Sequence, residues 1–147
     1  MEVFDKGNNR IRVPADRKYL STIRDFIYEQ AKSVGAAPAE VDNIIQAVDE
    51  AVANIIIHGY MDGPGEIIIE VNGAPPDSIS VSISDKAPFF DPTKAPEVNI
   101  NLPLEQRPVG GLGIHIIRNC IDEISHSVSP EGENILVLKK NLRRKTN

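Results

Sequence analysis

The chain has 147 residues, 41% of them hydrophobic and 25% charged, with a net charge of −5. That length and balance describe an ordinary globular chain able to bury one sizeable core, read as a single domain over 1–147. The acidic balance argues against a nucleic-acid surface, no apolar run reaches membrane-spanning length, and the lone Cys120 excludes an internal disulfide.

A reducing cytoplasm is the simplest compartment for such a chain. Its polar start, MEVFDKGNNR, holds no signal-peptide apolar region. Val3 to Asp5 and Arg10 to Val13 read as two short strands around a Lys6-Gly7-Asn8-Asn9 turn. Asp16 is the expected N-cap of a first helix, along which Leu20, Ile23, Ile27, Ala31 and Val34 recur at helical spacing until Gly35. Pro38, with Glu40 behind it, opens a second helix through Ile44, Ile45, Val48, Val52 and Ile55 to His58, with Gly59 as its stop. Its second half, QAVDEAVANIIIHGY, is apolar around most of its girth. Glu50, Asn54 and His58 nevertheless stand four residues apart and are expected along one ridge. Buried carboxylates and amides cost several kcal/mol unless something satisfies them, so the ridge suits either the floor of a ligand site or a core helix bonded to neighbouring backbone.

Ile67 to Val71 is a β-branched strand, after which Asn72-Gly73 and the following prolines are expected to turn the chain. Ser78 to Ser84, SISVSIS, alternates strictly. Ile79, Val81 and Ile83 are expected on a core face, and Asp85 falls at the strand end. Residues 86–109 show no period and hold five prolines, which suggests a lid. Gly110, Gly111 and Gly113 then precede an apolar helix, Ile114 to Ile121; by themselves they read as a plain helix-entry turn, and equally as a place where backbone N–H groups and the helix dipole favour an anion. Cys120 on that helix reads as a small buried hydrophobe. Ile124 to Val128 and Ile135 to Leu142 are two last strands, with His126 at a surface or edge position. Lys139, Lys140, Arg143, Arg144 and Lys145 read as a solvated basic tail. The order β-β-α-α-β-β-loop-α-β-β predicts an α+β fold: a two-layer α/β sandwich, its mixed, mostly antiparallel sheet carrying helices on one face.

Several residue types suit nucleotide chemistry. Asp85 is either an ordinary strand-end turn aspartate or an acceptor for an exocyclic amine, and Glu50 can polarise a hydroxyl or a water. Asn54 offers the hard oxygen that Mg²⁺ prefers. No His/Cys cluster suggests zinc. Together, EAVANIIIHGY, DKAPFFDP and RPVGGLGIHIIRN resemble the three boxes of the Bergerat-type ATP-binding fold shared by gyrase, the histidine kinases and MutL. Within that group the chain is most similar to the bacterial anti-sigma-factor serine/threonine kinases, from Asp16 onward.

The resemblance implies ATP and Mg²⁺ as cofactors, Glu50 as general base and Asn54 as metal ligand. It implies an ATP site from Asn54, His58, Asp85, Ala87, Phe90, Gly110, Gly111, Leu112 and Gly113. It also implies transfer of the γ-phosphoryl group to an anti-anti-sigma factor, with a sigma factor as the other partner of the switch; a homodimer stays open. One departure is Ala87, which stands where the family has glycine. It keeps a second expectation open, a partner-sequestering module with weak or no nucleotide binding.

Overall fold

A computed structural model describes residues 5–74, 77–88 and 111–142. The expected strand over Val3 and Phe4, most of the expected lid with Phe90, Gly110 at the mouth of the third box, and Arg143, Arg144 and Lys145 lie outside the described residues.

Strand β1 (Asp5–Lys6) pairs with β2 (Arg10–Pro14), where Ile11 and Val13 point into the core. Asp16 then has extended backbone, and its carboxylate accepts from Lys18 N at 3.0 Å. This capping bond starts a single 3₁₀ turn, Arg17–Tyr19, that leads into α1 (Leu20–Val34). Ile23, Phe26, Ile27 and Ala31 form the buried stripe, and Gly35 closes the helix at φ 102°, which costs a residue without Cβ little. Helix α2 (Pro38–Asn54) has proline in its first turn, and Glu40 accepts from Ala37 N at 2.8 Å.

The second helix does not run as an α-helix to His58. Residues Ile55–Gly59 widen into a π turn, closed by Tyr60 N donating to Ile55 O at 2.8 Å. Gly59 is not a left-handed stop; the left-handed residues are Met61 (φ 54°) and Asp62 (φ 60°). Asp62 N donates to Ile56 O at 2.9 Å, so the helix end is satisfied by wide-ring bonds and a glycine cap is unnecessary.

Strand β3 (Glu66–Ala74) is also longer than expected, and Asn72-Gly73 lies inside it, opposite Ser80 and Ile79. Asn9 Nδ2 donates to both Val71 O and Asn72 Oδ1 at 3.1 Å, which holds this stretch extended. Gly73 serves close approach, not turning: a Cβ there would meet Val34 Cγ1 at 2.9 Å.

Strand β4 (Ser78–Asp85) follows, then α3 (Gly111–Cys120), β5 (Glu123–Val128) and β6 (Asn134–Asn141). The sheet order is β1-β2-β3-β4-β6-β5. All five pairings are antiparallel, so the expected parallel admixture is absent among the described strands. Ile79, Val81 and Ile83 are buried as the alternation requires, in one core with Ile67, Ile69, Leu136, Leu138 and the inner stripes of the helices. The serines of β4 occupy the opposite face, which makes the molecule an α+β two-layer sandwich with its helices on one side. Lys139 and Lys140 belong to β6, not to a tail: Lys139 pairs with Glu123 at 3.3 Å, and Lys140 Nζ donates to Cys120 O at 3.2 Å.

Candidate functional site

Alternation along β4 turns Asp85 inward, in one cross-strand row with Ile67 on β3 and Asn134 on β6. A carboxylate 6% exposed at that position needs strong partners. Asn134 Nδ2 donates to Asp85 Oδ1 at 2.9 Å and also to Ala87 O at 2.7 Å, while Ala87 N donates to the same Oδ1 at 2.8 Å. The residues after β4 therefore curl back over the carboxylate. Both described donors to Asp85 take Oδ1, an arrangement that fixes the plane of the group. Burial holds its proton affinity above the ordinary aspartate range. Asn134, the Ala87 amide and the charge of His126 on the edge strand β5 pull the other way.

Tyr60 supports this turn from the other side. Its hydroxyl donates to Glu66 O and accepts from Lys86 N, both at 2.8 Å.

On α2, Asn54 is buried and Glu50 half-buried. Glu50 has its proton affinity raised, first by burial and then by the neighbouring charge of Asp49. Asp49 is itself clamped by Arg24 of α1, with Nε and NH2 donating to its two oxygens at 2.8 and 3.4 Å. Helix α3 packs against α2: the thiol of the buried Cys120 donates to Gln46 Oε1 at 3.6 Å, one turn before Glu50. Burial pushes that thiol's pKa up, and the charge of Glu50 adds to the effect. His58 lies in the π turn, half-buried, beyond the α-helical part of the ridge. Gly111, Leu112 and Gly113 form the first turn of the ten-residue α3, so their backbone supplies a helix N-terminus. His126 is on an edge strand as expected, but half-buried and in register with Leu136.

The structure thus joins Asp85 and Ala87 in one hydrogen-bonded turn, and sets Glu50 and Asn54 on the helix that α3 packs against. Two residues of this arrangement escaped the sequence. Asn134 had a signal: it begins the inward alternation Asn134, Leu136, Leu138, where a polar residue is out of place. Tyr60 had none, because its hydroxyl bonds backbone atoms of Glu66 and of Lys86, which no side-chain pattern marks. A separate cleft of about 450 Å³ opens between Pro14–Arg17 and residues 62–65, and its lining includes none of the predicted site residues.

The donor set suits magnesium and ATP. A buried amide oxygen on Asn54, with Glu50 one turn away, is the hard, sparse ligation that Mg²⁺ accepts while keeping waters. A buried, oriented carboxylate at Asp85 matches an exocyclic amine. Among the described residues no group of three His, Cys, Asp or Glu side chains is placed to hold a metal alone.

Residues 13–140 match the family described as histidine kinase-like ATPase domain. The chain is 32% identical over 143 residues to a serine-protein kinase RsbW of Bacillus cereus, covering 95% of this chain and 87% of that protein. It is 31% identical, over the same shares, to the serine-protein kinase RsbW of Bacillus mycoides. Among solved structures, that of the RsbU and RsbW domains of Rv1364c from Mycobacterium tuberculosis superposes with a TM-score of 0.59 at 17% identity, over 93% of this chain and 33% of that one. That likeness concerns the fold.

Proposed function

The chain belongs to the histidine kinase-like ATPase domain family, alongside the RsbW serine-protein kinases, and from that premise we propose that it is an ATP-dependent serine/threonine protein kinase and anti-sigma factor. Its phosphoacceptor is a serine or threonine of an anti-anti-sigma factor, and the choice between that antagonist and a sigma factor makes it a partner switch. The observation that carries this reading is the buried Asp85 carboxylate, oriented by Asn134 and Ala87 at a strand end of the sheet.

Asp85 reads the adenine amine, with Ala87, His58 and Phe90 assigned to the same nucleotide. Gly110, Gly111, Leu112 and Gly113 are assigned to the phosphates, the last three through their backbone at the start of α3. Asn54 would hold Mg²⁺, which would supply charge neutralisation on the phosphates. Glu50 takes the proton of the attacking hydroxyl as the new O–P bond forms and the bond from the γ-phosphorus to the ADP oxygen breaks. ADP leaves with the electron pair of that bond. Among the described residues no helix is long and apolar enough to cross a membrane, and we place the protein in the cytoplasm with its ATP.

Melting the protein with ATP, in the presence and absence of Mg²⁺, tests this. A ligand at a hundred times its Kd stabilises by about 2.7 kcal/mol. At this chain length that is roughly 5–10 °C in Tm. A Tm unmoved by Mg-ATP at millimolar concentration would contradict the proposal.

The other reading, a sequestering module that uses no nucleotide, draws on Ala87, which is only 3% exposed where the resembled boxes carry glycine. Ala87→Gly tests whether that methyl crowds the nucleotide. Removing one methyl beside Asp85 is expected to leave ATP affinity unchanged or to tighten it. Isothermal titration measures this, and weaker binding by the variant would mean that the methyl supports the turn.

A further inference from the structure

We propose that Tyr60 is a positioning residue of the nucleotide site, a phenolic wedge that ends the β3–β4 ladder and so frees the turn that orients Asp85. The inference rests on the nucleotide-binding reading above and adds to it how the base-reading turn is formed before nucleotide arrives.

The ladder itself supplies the argument. Strands β3 and β4 pair in register from Ala74–Ser78 to Ile67–Asp85, so the next rung would join Glu66 to Lys86. That rung is interrupted. The Tyr60 hydroxyl sits between the two backbones, donating to Glu66 O and accepting from Lys86 N, both at 2.8 Å. One hydroxyl satisfies both groups that a direct bond would have joined, and it holds the strands apart by its own width. Splayed at this point, the chain bends at Lys86 and brings Ala87 over Asp85, where Ala87 N reaches Oδ1 at 2.8 Å. Had the ladder continued, Ala87 would extend along Glu66 and its neighbours, away from that carboxylate.

The wedge is well seated. Tyr60 N closes the π turn onto Ile55 O, so the widened end of the Asn54 helix delivers the residue to its place. The ring lies flat against Gly65, where a Cβ would come within 2.3 to 2.5 Å of three ring carbons. Only glycine at 65 admits the ring in this pose. Burial raises the phenol pKa, which keeps the hydroxyl protonated and donating. Tyr60 therefore links the helix bearing Glu50 and Asn54 to the turn bearing Asp85 and Ala87. It has no place in the chemical step.

The test is Tyr60→Phe, which keeps the ring and removes both hydrogen bonds. Calorimetric titration with ATP is expected to show affinity about tenfold weaker, the size set by losing one to two net hydrogen bonds. Transfer at saturating ATP should be unchanged, so that KM rises and kcat does not. In the apo protein, hydrogen exchange should accelerate at Lys86 and Ala87, and Tm should fall by no more than about 6 °C, the share of the same one to two hydrogen bonds felt by the fold. Equal ATP affinity in wild type and variant would overturn the inference and leave the kinase reading standing. A variant that loses kcat at saturation, or more than about 10 °C of apo Tm, would also overturn it, since Tyr60 would then act generally on the fold. A wild type that binds no ATP would overturn the nucleotide reading itself, and this inference with it.

Discussion

Glu50→Gln is expected to bind Mg-ATP as the wild type does and to transfer phosphate to a partner serine at least about a hundredfold more slowly. The substitution keeps the size and hydrogen-bonding shape of the side chain and removes the base. The reason to expect a chemical effect lies in the environment of Glu50. It is half-buried on α2, its ionised form disfavoured by burial and then by Asp49. A carboxylate pushed toward neutrality is a better proton acceptor than a solvated one. The acid limb of the wild-type pH–rate profile should accordingly lie above the ordinary glutamate range, and the variant should lack it. The stability consequence has a definite sign. Because the folded-state pKa is raised above the unfolded value, the native state binds the extra proton. The associated stability is present below the unfolded pKa and lost as pH rises through the folded pKa. At neutral pH the variant should therefore melt no lower than the wild type, and slightly higher. If Glu50 only braces its helix, the variant would lose Tm and keep its transfer rate.

The second large effect belongs to Asn54→Ala. Asn54 is a buried polar group at the last α-helical position before the π turn. Nothing in alanine can ligate a cation, so the Mg-dependent part of the ATP stabilisation should vanish, leaving the variant with the same Tm in Mg-ATP as in ATP alone. A calcium- or manganese-loaded comparison is unnecessary, because the readout is the difference between two melts of one protein. Full retention of the Mg-dependent shift would take Asn54 out of the metal site.

The contrast between what the sequence disclosed and what it hid has a physical basis. Strict alternation in β4 forced Ile79, Val81, Ile83 and Asp85 onto one face, because a one-residue slip would expose the whole set. The helical stripe of α1 and the Gly35 cap were legible for the same reason: they are local patterns with one low-energy solution. Glu50 and Asn54 were legible by helical spacing, as both lie within α2. His58 was not, since the π turn begins at Ile55 and four-residue spacing no longer measures one turn. Asn72-Gly73 looked like a turn because such a pair usually is one, whereas here the glycine makes room for Val34. Tyr60 and Asn134 stayed hidden because each acts on residues far along the chain: Tyr60 on Lys86, Asn134 on Asp85 and Ala87. Long-range hydrogen bonds leave no periodic trace, and Asn134 alone left a faint one as a polar residue on an apolar strand face.

The central claim is that this fold moves the γ-phosphoryl group of ATP to a protein hydroxyl. Single-turnover incubation of the protein with γ-labelled Mg-ATP and an anti-anti-sigma factor measures it most directly. Label should appear on one serine or threonine of the partner, stoichiometric with ADP formed, and should be lost with Glu50→Gln and with omission of Mg²⁺. Tight complex formation with the partner and no label transferred, in a protein that melts normally, would contradict the account and establish a sequestering module in its place.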